Sequence, residues 1–231
     1  MLLNHHAVII GNTQTGKTCT ALALGQFAIK NNRIVIFVNT KGETRVTLAC
    51  KYRNVTPEVF AYILKNHLCD GMVEIKIGIR EMDPLALIED FLNILLDFKD
   101  KDLFPVLLIV DEMHRFQSKA SIDSMFKNIW LQGLGLQLFA ISISQRASQI
   151  HNDIISQSDY KFLHAQDQRD LKYLQENRYL TIPDNWLLPL DDPNSKYPFL
   201  ASGNQINHRL FYLGPGMLQL QEIPLKTPPK T

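Results

Sequence analysis

Residues 6–30 read HAVIIGNTQTGKTCTALALGQFAIK, which is a short apolar run, a loop bounded by two glycines, and a helix-forming stretch. Positions 11–18 (GNTQTGKT) satisfy GxxxxGK[ST] in full. Each residue type there has a physical purpose. Gly11 and Gly16 let the backbone curl so that successive N–H groups point inward at phosphate oxygens. Lys17 is placed to bridge β- and γ-phosphates, and Thr18 to offer a hydroxyl to Mg²⁺. The helix expected over 16–30 opens on free N–H groups and a positive dipole end, which favour the same anion. The segment is read as a site for ATP with Mg²⁺. Its binding residues are Gly11, Asn12, Thr13, Gln14, Thr15, Gly16, Lys17, Thr18 and, as a small buried neighbour on the helix, Cys19.

Beyond this loop, short β-rich runs alternate with helical patterns, which argues for a parallel sheet covered by helices. Strands are expected at 6–10, at 33–38 (RIVIFV) and at 106–110 (VLLIV), the most apolar run and hence a central strand. A further buried strand is expected at 138–144 (LFAISIS) and a short one at 160–164. The run 73–79 (VEIKIGI) alternates and is read as a half-exposed or edge strand. Helices are expected at 84–98, with Pro84 in the first turn, at 121–131 with Ser118 or Ser121 as its cap, and at 168–177. Two strands, 199–201 and 209–213, close the pattern. There is no repeat and no clear linker, so 1–215 is read as a single domain. Residues 216–231 are read as a proline-rich, disordered tail, with PLKTPPKT from Pro224.

Composition limits the classes that remain. The 231 residues are 45% hydrophobic and 20% charged, an ordinary globular balance that excludes a disordered, collagenous or coiled-coil chain. Lys plus Arg is 24 and Asp plus Glu is 23, so a net charge of +1 gives no global signature for nucleic acid. Any phosphate-binding surface must be local or assembled from several copies. The three cysteines (Cys19, Cys50, Cys69) have no CxxC spacing, so neither a disulfide framework nor a zinc cluster is expected. No signal peptide or membrane-spanning run is legible. A soluble, intracellular protein is the expectation.

Residues 104–112 read FPVLLIVDE. A buried strand ending in Asp-Glu sets two carboxylates at the carboxyl edge of the sheet, where open α/β folds bind ligands. Asp111 is expected to hold Mg²⁺ through water. Glu112 is expected to orient and polarise an attacking water, which hydrolysis needs and simple binding does not. The strand at 138–144 runs into Gln145 and Arg146, and the Gln145 amide could sense the γ-phosphate or fix that water. Lys17, Glu112 and Gln145 are therefore the catalytic candidates, and Thr18 and Asp111 the metal ligands. His114 is read as a neutral histidine bonded to a strand end.

Taken together, GNTQTGKT, LLIVDEMHRF and ISISQRASQIHNDIISQSDYKFLHAQDQRDLKYL make the chain resemble the HerA/FtsK group of DNA-pumping ATPases over about residues 7–180. The resemblance implies a RecA-like (ASCE) P-loop NTPase fold, with an extra strand between the phosphate-loop strand and the Asp-Glu strand. It further implies a homo-hexameric ring, ATP at subunit interfaces, and double-stranded DNA through the centre. Cellular HerA carries an N-terminal β-barrel, and cellular FtsK carries membrane segments and a DNA-reading domain; this chain has room for neither. Its size looks more like the genome-packaging ATPases of membrane-containing double-stranded DNA viruses. That implies a host-cytoplasmic or virion-associated motor with capsid or membrane proteins at the packaging vertex. The alternatives are a DNA-processing or conjugation motor of a cell or plasmid, and a nucleotide-dependent assembly switch that never moves along DNA.

One departure from the family stands out. Many relatives carry an arginine just before the sensor strand that reaches a neighbour's γ-phosphate, whereas positions 131–137 (LQGLGLQ) hold no basic residue. Arg146, Arg115 and Arg169 are the candidates for that trans-acting charge. For DNA, a loop at 115–120 (RFQSKA) offers Arg115 and Lys119, with Lys127 beyond it, and Phe116 as a wedge or as core. A second basic stretch comprises Lys41, Arg45, Lys51 and Arg53.

Overall fold

The computed structural model describes residues 4–78, 81–117, 120–166, 168–177, 199–203, 206–213 and 220–223. The apolar runs form six parallel strands: β1 (Ala7–Ile10), β2 (Ile34–Asn39), β3 (Met72–Lys76), β4 (Val106–Val110), β5 (Leu138–Ser144) and β6 (Tyr160–Leu163). Three antiparallel strands follow: β7 (Phe199–Gly203), β8 (Ile206–Leu213) and β9 (Leu220–Ile223). All nine belong to one sheet, in the order β3-β2-β4-β5-β1-β6-β7-β8-β9. β5 pairs with both β1 and β4, so the intervening strand implied by the resemblance is present, and the fold is the RecA-like α/β arrangement.

Both faces of the parallel sheet are covered, which is why β1, β2, β4 and β5 are buried along their whole length. Strand alternation sorts the core in two. Ile9, Phe37, Ile109 and Ile143 pack beneath Leu24 and Ala28 of α1 (Lys17–Lys30) and Val46 of α2 (Thr44–Ala49). Val8, Ile36, Leu108 and Val110 face the other layer. That layer comprises α3 (Pro57–Lys65), α4 (Pro84–Lys99), α5 (Ser124–Gln132), α6 (Asn152–Gln157) and α7 (Gln168–Glu176). Phe60 and Phe126, both fully buried there, each contribute roughly 1.5–3 kcal/mol of burial free energy.

Helix starts follow local chemistry. Thr56 Oγ1 accepts from Val59 N at 3.4 Å ahead of Pro57, and Asp83 Oδ1 accepts from Ala86 N at 3.2 Å ahead of Pro84. α5 begins later than expected, because its cap is Asp123, whose Oδ1 accepts from Met125 N at 2.8 Å, and not Ser121; Ser118 lies outside the described residues. A carboxylate is the stronger acceptor and also complements the helix dipole. β3 lies at the sheet edge as read, but Met72 to Ile75 are buried, not half-exposed, since Val46 covers one face and Phe60 the other. α2, α3 and β9 were not expected.

Within 216–231, expected as a tail, Leu220–Ile223 pairs antiparallel with β8. The rest of that stretch, including 224–231, lies outside the described residues. Among the described residues no helix is long and apolar enough to cross a membrane.

Candidate active site

In a parallel sheet the residues just past adjacent strand ends stand side by side, and this register assembles the site. Ile10 pairs with Ser144 on one side and Leu163 on the other, so Gly11, Gln145 and His164 are neighbours. Val38 pairs with Val110, which sets the loop after β2 beside Asp111 and Glu112. Thr13, Gln14, Gly16, Lys17 and Thr18 therefore line one cavity of about 580 Å³ together with Asp111 and Glu112. The phosphate loop and the two acids, distant in sequence, face each other.

The loop has the curled backbone its sequence demands. Gly16 takes φ 94° at the start of α1, and its lack of a side chain makes that left-handed turn cheap. Gln14 is also left-handed, at φ 64°. α1 has no side-chain cap and no acidic residue in its first turn, which leaves its N–H groups and dipole available to an anion. Lys17 Nζ folds back on the loop, donating to Gly11 O at 2.6 Å and Asn12 O at 2.7 Å. Burial pulls its ammonium below the ordinary lysine pKa, a cost that a polyphosphate would offset.

Beneath the loop sits His164, fully buried at the end of β6. Its Nδ1 donates to Thr15 O at 2.7 Å, and its Nε2 accepts from Thr20 Oγ1 at 3.1 Å. Burial lowers its pKa to about 3, so it is the neutral ring that these two bonds require. A Cβ on Gly11 would stand 2.5 Å from His164 Cβ, so the close approach of loop and ring requires glycine.

The acids differ in environment. Asp111 is 2% exposed; its Oδ1 accepts from Glu112 N at 3.0 Å and its Oδ2 has no hydrogen-bond partner among the described residues. Burial, and then the neighbouring Glu112 charge, raise its pKa to about 7. A buried carboxylate with an orphan oxygen, in one cavity with Thr18, fits a hard divalent cation such as Mg²⁺. Glu112 is held at φ 45°, an unfavourable backbone for a residue with a Cβ. Burial pushes its pKa up, but hydrogen bonds from Gln145 and Lys41 and the Lys41 charge outweigh that and leave it below the ordinary value. Gln145 Nε2 donates to Glu112 Oε1 at 3.0 Å, and Gln145 Oε1 accepts from Thr13 Oγ1 at 3.4 Å, so this amide ties acid to loop. His114 Nδ1 stands 3.1 Å from Glu112 Oε2 without hydrogen-bond geometry, and burial lowers its pKa.

Other expected residues go elsewhere. Arg115 is not a free arginine. Its guanidinium donates to Thr40 O at 2.6 Å and Glu81 O at 2.8 Å, clamping two loops of its own chain. Phe116 is buried against Phe126, with ring centroids 5.1 Å apart, and is core. Lys119 lies outside the described residues. Lys127 is exposed and stands 3.8 Å from Asp153. Arg146 and Arg169 are exposed. Cys19 is buried behind the loop, and its Sγ accepts from Arg45 Nη1 at 2.8 Å.

The basic stretch after β2 is not a stripe. Lys41 and Arg45 line the cavity with Glu43 and Thr44. Lys51 pairs with Asp70, and Arg53 donates to Cys50 O and Leu48 O. Lys41 forms an ion pair with Glu112, and although its own burial disfavours the charge, Glu112 raises its pKa overall. Lys41 and His164 are thus the site residues that motif reading passed over. Their signal was available in principle, since each closely follows a strand at the loaded edge of the sheet.

No protein family matches the chain by sequence, and no curated protein is similar to it. Solved structures share its fold. The genome-packaging NTPase B204 of Sulfolobus turreted icosahedral virus 2, in complex with ATP-gammaS, superposes with a TM-score of 0.65 at 13% identity, over 91% of this chain and 98% of B204. EssC (ATPases 2 and 3) of Geobacillus thermodenitrificans gives 0.58 at 12% identity, over 90% of this chain and 39% of EssC. The pCW3 conjugation coupling protein TcpA gives 0.54 at 15% identity, over 88% of this chain and 59% of TcpA. At such identities the likeness is one of fold.

Proposed function

We propose that this chain is an Mg²⁺-dependent ATPase that drives double-stranded DNA, acting as a viral genome-packaging motor. The observation that carries the ATPase reading is the shared cavity of Lys17, Thr18, Asp111 and Glu112, with Gln145 bonded to Glu112. The packaging reading is supported by likeness to B204 over nearly the whole of that protein. A second reading, a conjugation or DNA-processing motor of a cell or plasmid, draws on the likeness to TcpA.

The residues divide the work as follows. The amides of 11–16 and the start of α1 bind the phosphates, and Lys17 leaves the Gly11 and Asn12 carbonyls to neutralise them. Thr18 and Asp111 would hold Mg²⁺, which when bound supplies positive charge to the phosphate oxygens. Glu112 accepts a proton from the attacking water, and Gln145 fixes the position of its carboxylate and links it to the phosphate loop. In a homo-hexameric ring, Arg146 or Arg169, both exposed, would supply the charge in trans. DNA would be gripped through phosphates without base reading, by six copies of a nearly neutral chain. Capsid or membrane proteins at a packaging vertex would be its partners, in the host cytoplasm or the virion.

The test is ATP turnover of the full chain with Mg²⁺, with and without duplex DNA of unrelated sequences, from low to moderate salt. Turnover stimulated by any duplex, and losing that stimulation as salt rises, is the expected result. Turnover that duplex DNA never stimulates would remove the motor reading, and absence of turnover would remove the ATPase reading.

A further inference from the structure

The loop after β2 is built as a wall of the cavity, and its construction is rigid except at one tip. Asn39, the last residue of β2, is buried; its Nδ2 donates to Glu74 Oε1 at 2.7 Å and to Glu43 O at 3.2 Å, and its Oδ1 accepts from Glu43 N at 2.9 Å. Thr47 Oγ1 donates to the same Glu74 oxygen at 2.6 Å. Arg115 holds Thr40 O from the other side. The backbone on both flanks of Lys41 is therefore pinned to the scaffold, while its side chain extends into the cavity and ends on Glu112.

That ending is informative. Glu112 Oε1 takes both the Lys41 ammonium and the Gln145 amide. Oε1 so engaged has no lone pair left for a water, and the ammonium beside it neutralises charge that the unbonded Oε2 shares. The same ammonium lies at the Glu112 end of the cavity, which the Thr13–Gln145 contact joins to the phosphate loop. A triphosphate carries several negative charges against one on Glu112, so it attracts the ammonium more strongly. Lys41 has the long flexible stem needed to change partners, and one ammonium cannot neutralise both at once.

We propose that Lys41 is a second phosphate-binding lysine, acting within its own chain, whose ammonium moves from Glu112 to the terminal phosphate of a bound nucleoside triphosphate. The proposal rests on the reading of this cavity as a triphosphate site. It makes the freedom of the Glu112 carboxylate to engage a water conditional on a terminal phosphate being present. A diphosphate leaves Lys41 on Glu112, and a triphosphate releases the carboxylate to orient water. It also supplies from within the subunit a positive charge that 131–137 lacks.

The test compares binding of ADP and of a non-hydrolysable ATP analogue, both with Mg²⁺, to the full chain, Lys41→Ala, Lys41→Arg and Lys17→Ala. In the wild type the analogue should bind more tightly than ADP. Lys41→Ala should weaken the analogue by about tenfold or more while ADP stays within about twofold, the size of one charged contact. ADP binding also reports that this variant is folded. Lys41→Arg should restore most of the preference, and turnover should fall with Lys41→Ala. An unchanged analogue-to-ADP ratio in Lys41→Ala would overturn the proposal, and faster turnover with that ratio unchanged would make Lys41 only a brake on Glu112. Failure of the site itself looks different: the wild type would bind neither nucleotide, or Lys17→Ala would bind both as well as the wild type does.

Discussion

Gln145 Nε2 donates a 3.0 Å hydrogen bond to Glu112 Oε1, joining the ends of β5 and β4. The other end of the same amide accepts from Thr13 in the phosphate loop at 3.4 Å. Because β5 lies between β1 and β4, one side chain reaches both Glu112 and the loop, the geometry that would let the proposed general base sense a phosphate.

Gln145→Ala should therefore leave nucleotide affinity nearly intact and lower kcat by about ten- to a hundredfold, the range for losing one positioning contact at a base. Turnover and analogue binding measured on the same preparation separate the two effects. A variant that loses affinity and keeps kcat would mean that Gln145 binds substrate and does not position Glu112.

Arg115→Ala should lower stability, by about 1–3 kcal/mol, because it leaves the carbonyls of Thr40 and Glu81 without their charged donor. Chemical denaturation of wild type and variant measures this. A DNA-gripping arginine would behave in the opposite way, with unchanged stability and loss of DNA stimulation alone.

Acid should unfold the protein through two buried histidines. His164 is lowered to about 3 by burial, with a Thr15 hydrogen bond opposing, and His6 to about 4, again chiefly by burial. The model-peptide histidine titrates at about 6.5. Above that pH neither state binds the proton, and the two histidines cost the folded protein nothing. Below it the unfolded chain takes up protons that the folded protein refuses. Each histidine thus removes up to about 1.4 kcal/mol per pH unit, between about 6.5 and its folded value. Denaturant midpoints at pH 7 and pH 5 should differ, and His164→Gln should shrink the difference. Asp111, raised to about 7, works in the opposite direction below pH 7, so the variant is the decisive comparison: a pH 7-to-5 difference that His164→Gln leaves unchanged would contradict neutral burial of His164.

Much of the fold was legible because its signals are local. VLLIV and LFAISIS announce buried strands by composition alone, and GNTQTGKT carries its own geometry in two glycines, a lysine and a threonine. α3 could have been found as well. Thr56-Pro57 is a cap followed by Phe60, Ile63 and Leu64 at helical spacing, and they are buried as that spacing implies. α2 could not, since TRVTLA is six residues rich in β-branched side chains and is held by tertiary contacts.

The site was legible where one motif contained it and obscure where register created it. Asp111 and Glu112 end an obvious strand. Lys41 acquires its meaning only from the pairing of Val38 with Val110, and His164 only from that of Ile10 with Leu163. For Arg115, adjacency to Asp-Glu suggests an exposed loop, and only the structure shows that the guanidinium beside the 3₁₀ turn Met113–Arg115 bonds the loop after β2.

The most direct test of the central claim, that Glu112 activates water in a site built on Lys17 and Asp111, is single-turnover ATP hydrolysis by Glu112→Gln alongside its affinity for ATP. The substitution keeps size and a hydrogen-bond acceptor and removes the proton-accepting charge. The expected result is hydrolysis slower by about a hundredfold or more with ATP still bound. Hydrolysis at the wild-type rate would contradict the assignment of Glu112 and, with it, the chemistry proposed for this cavity.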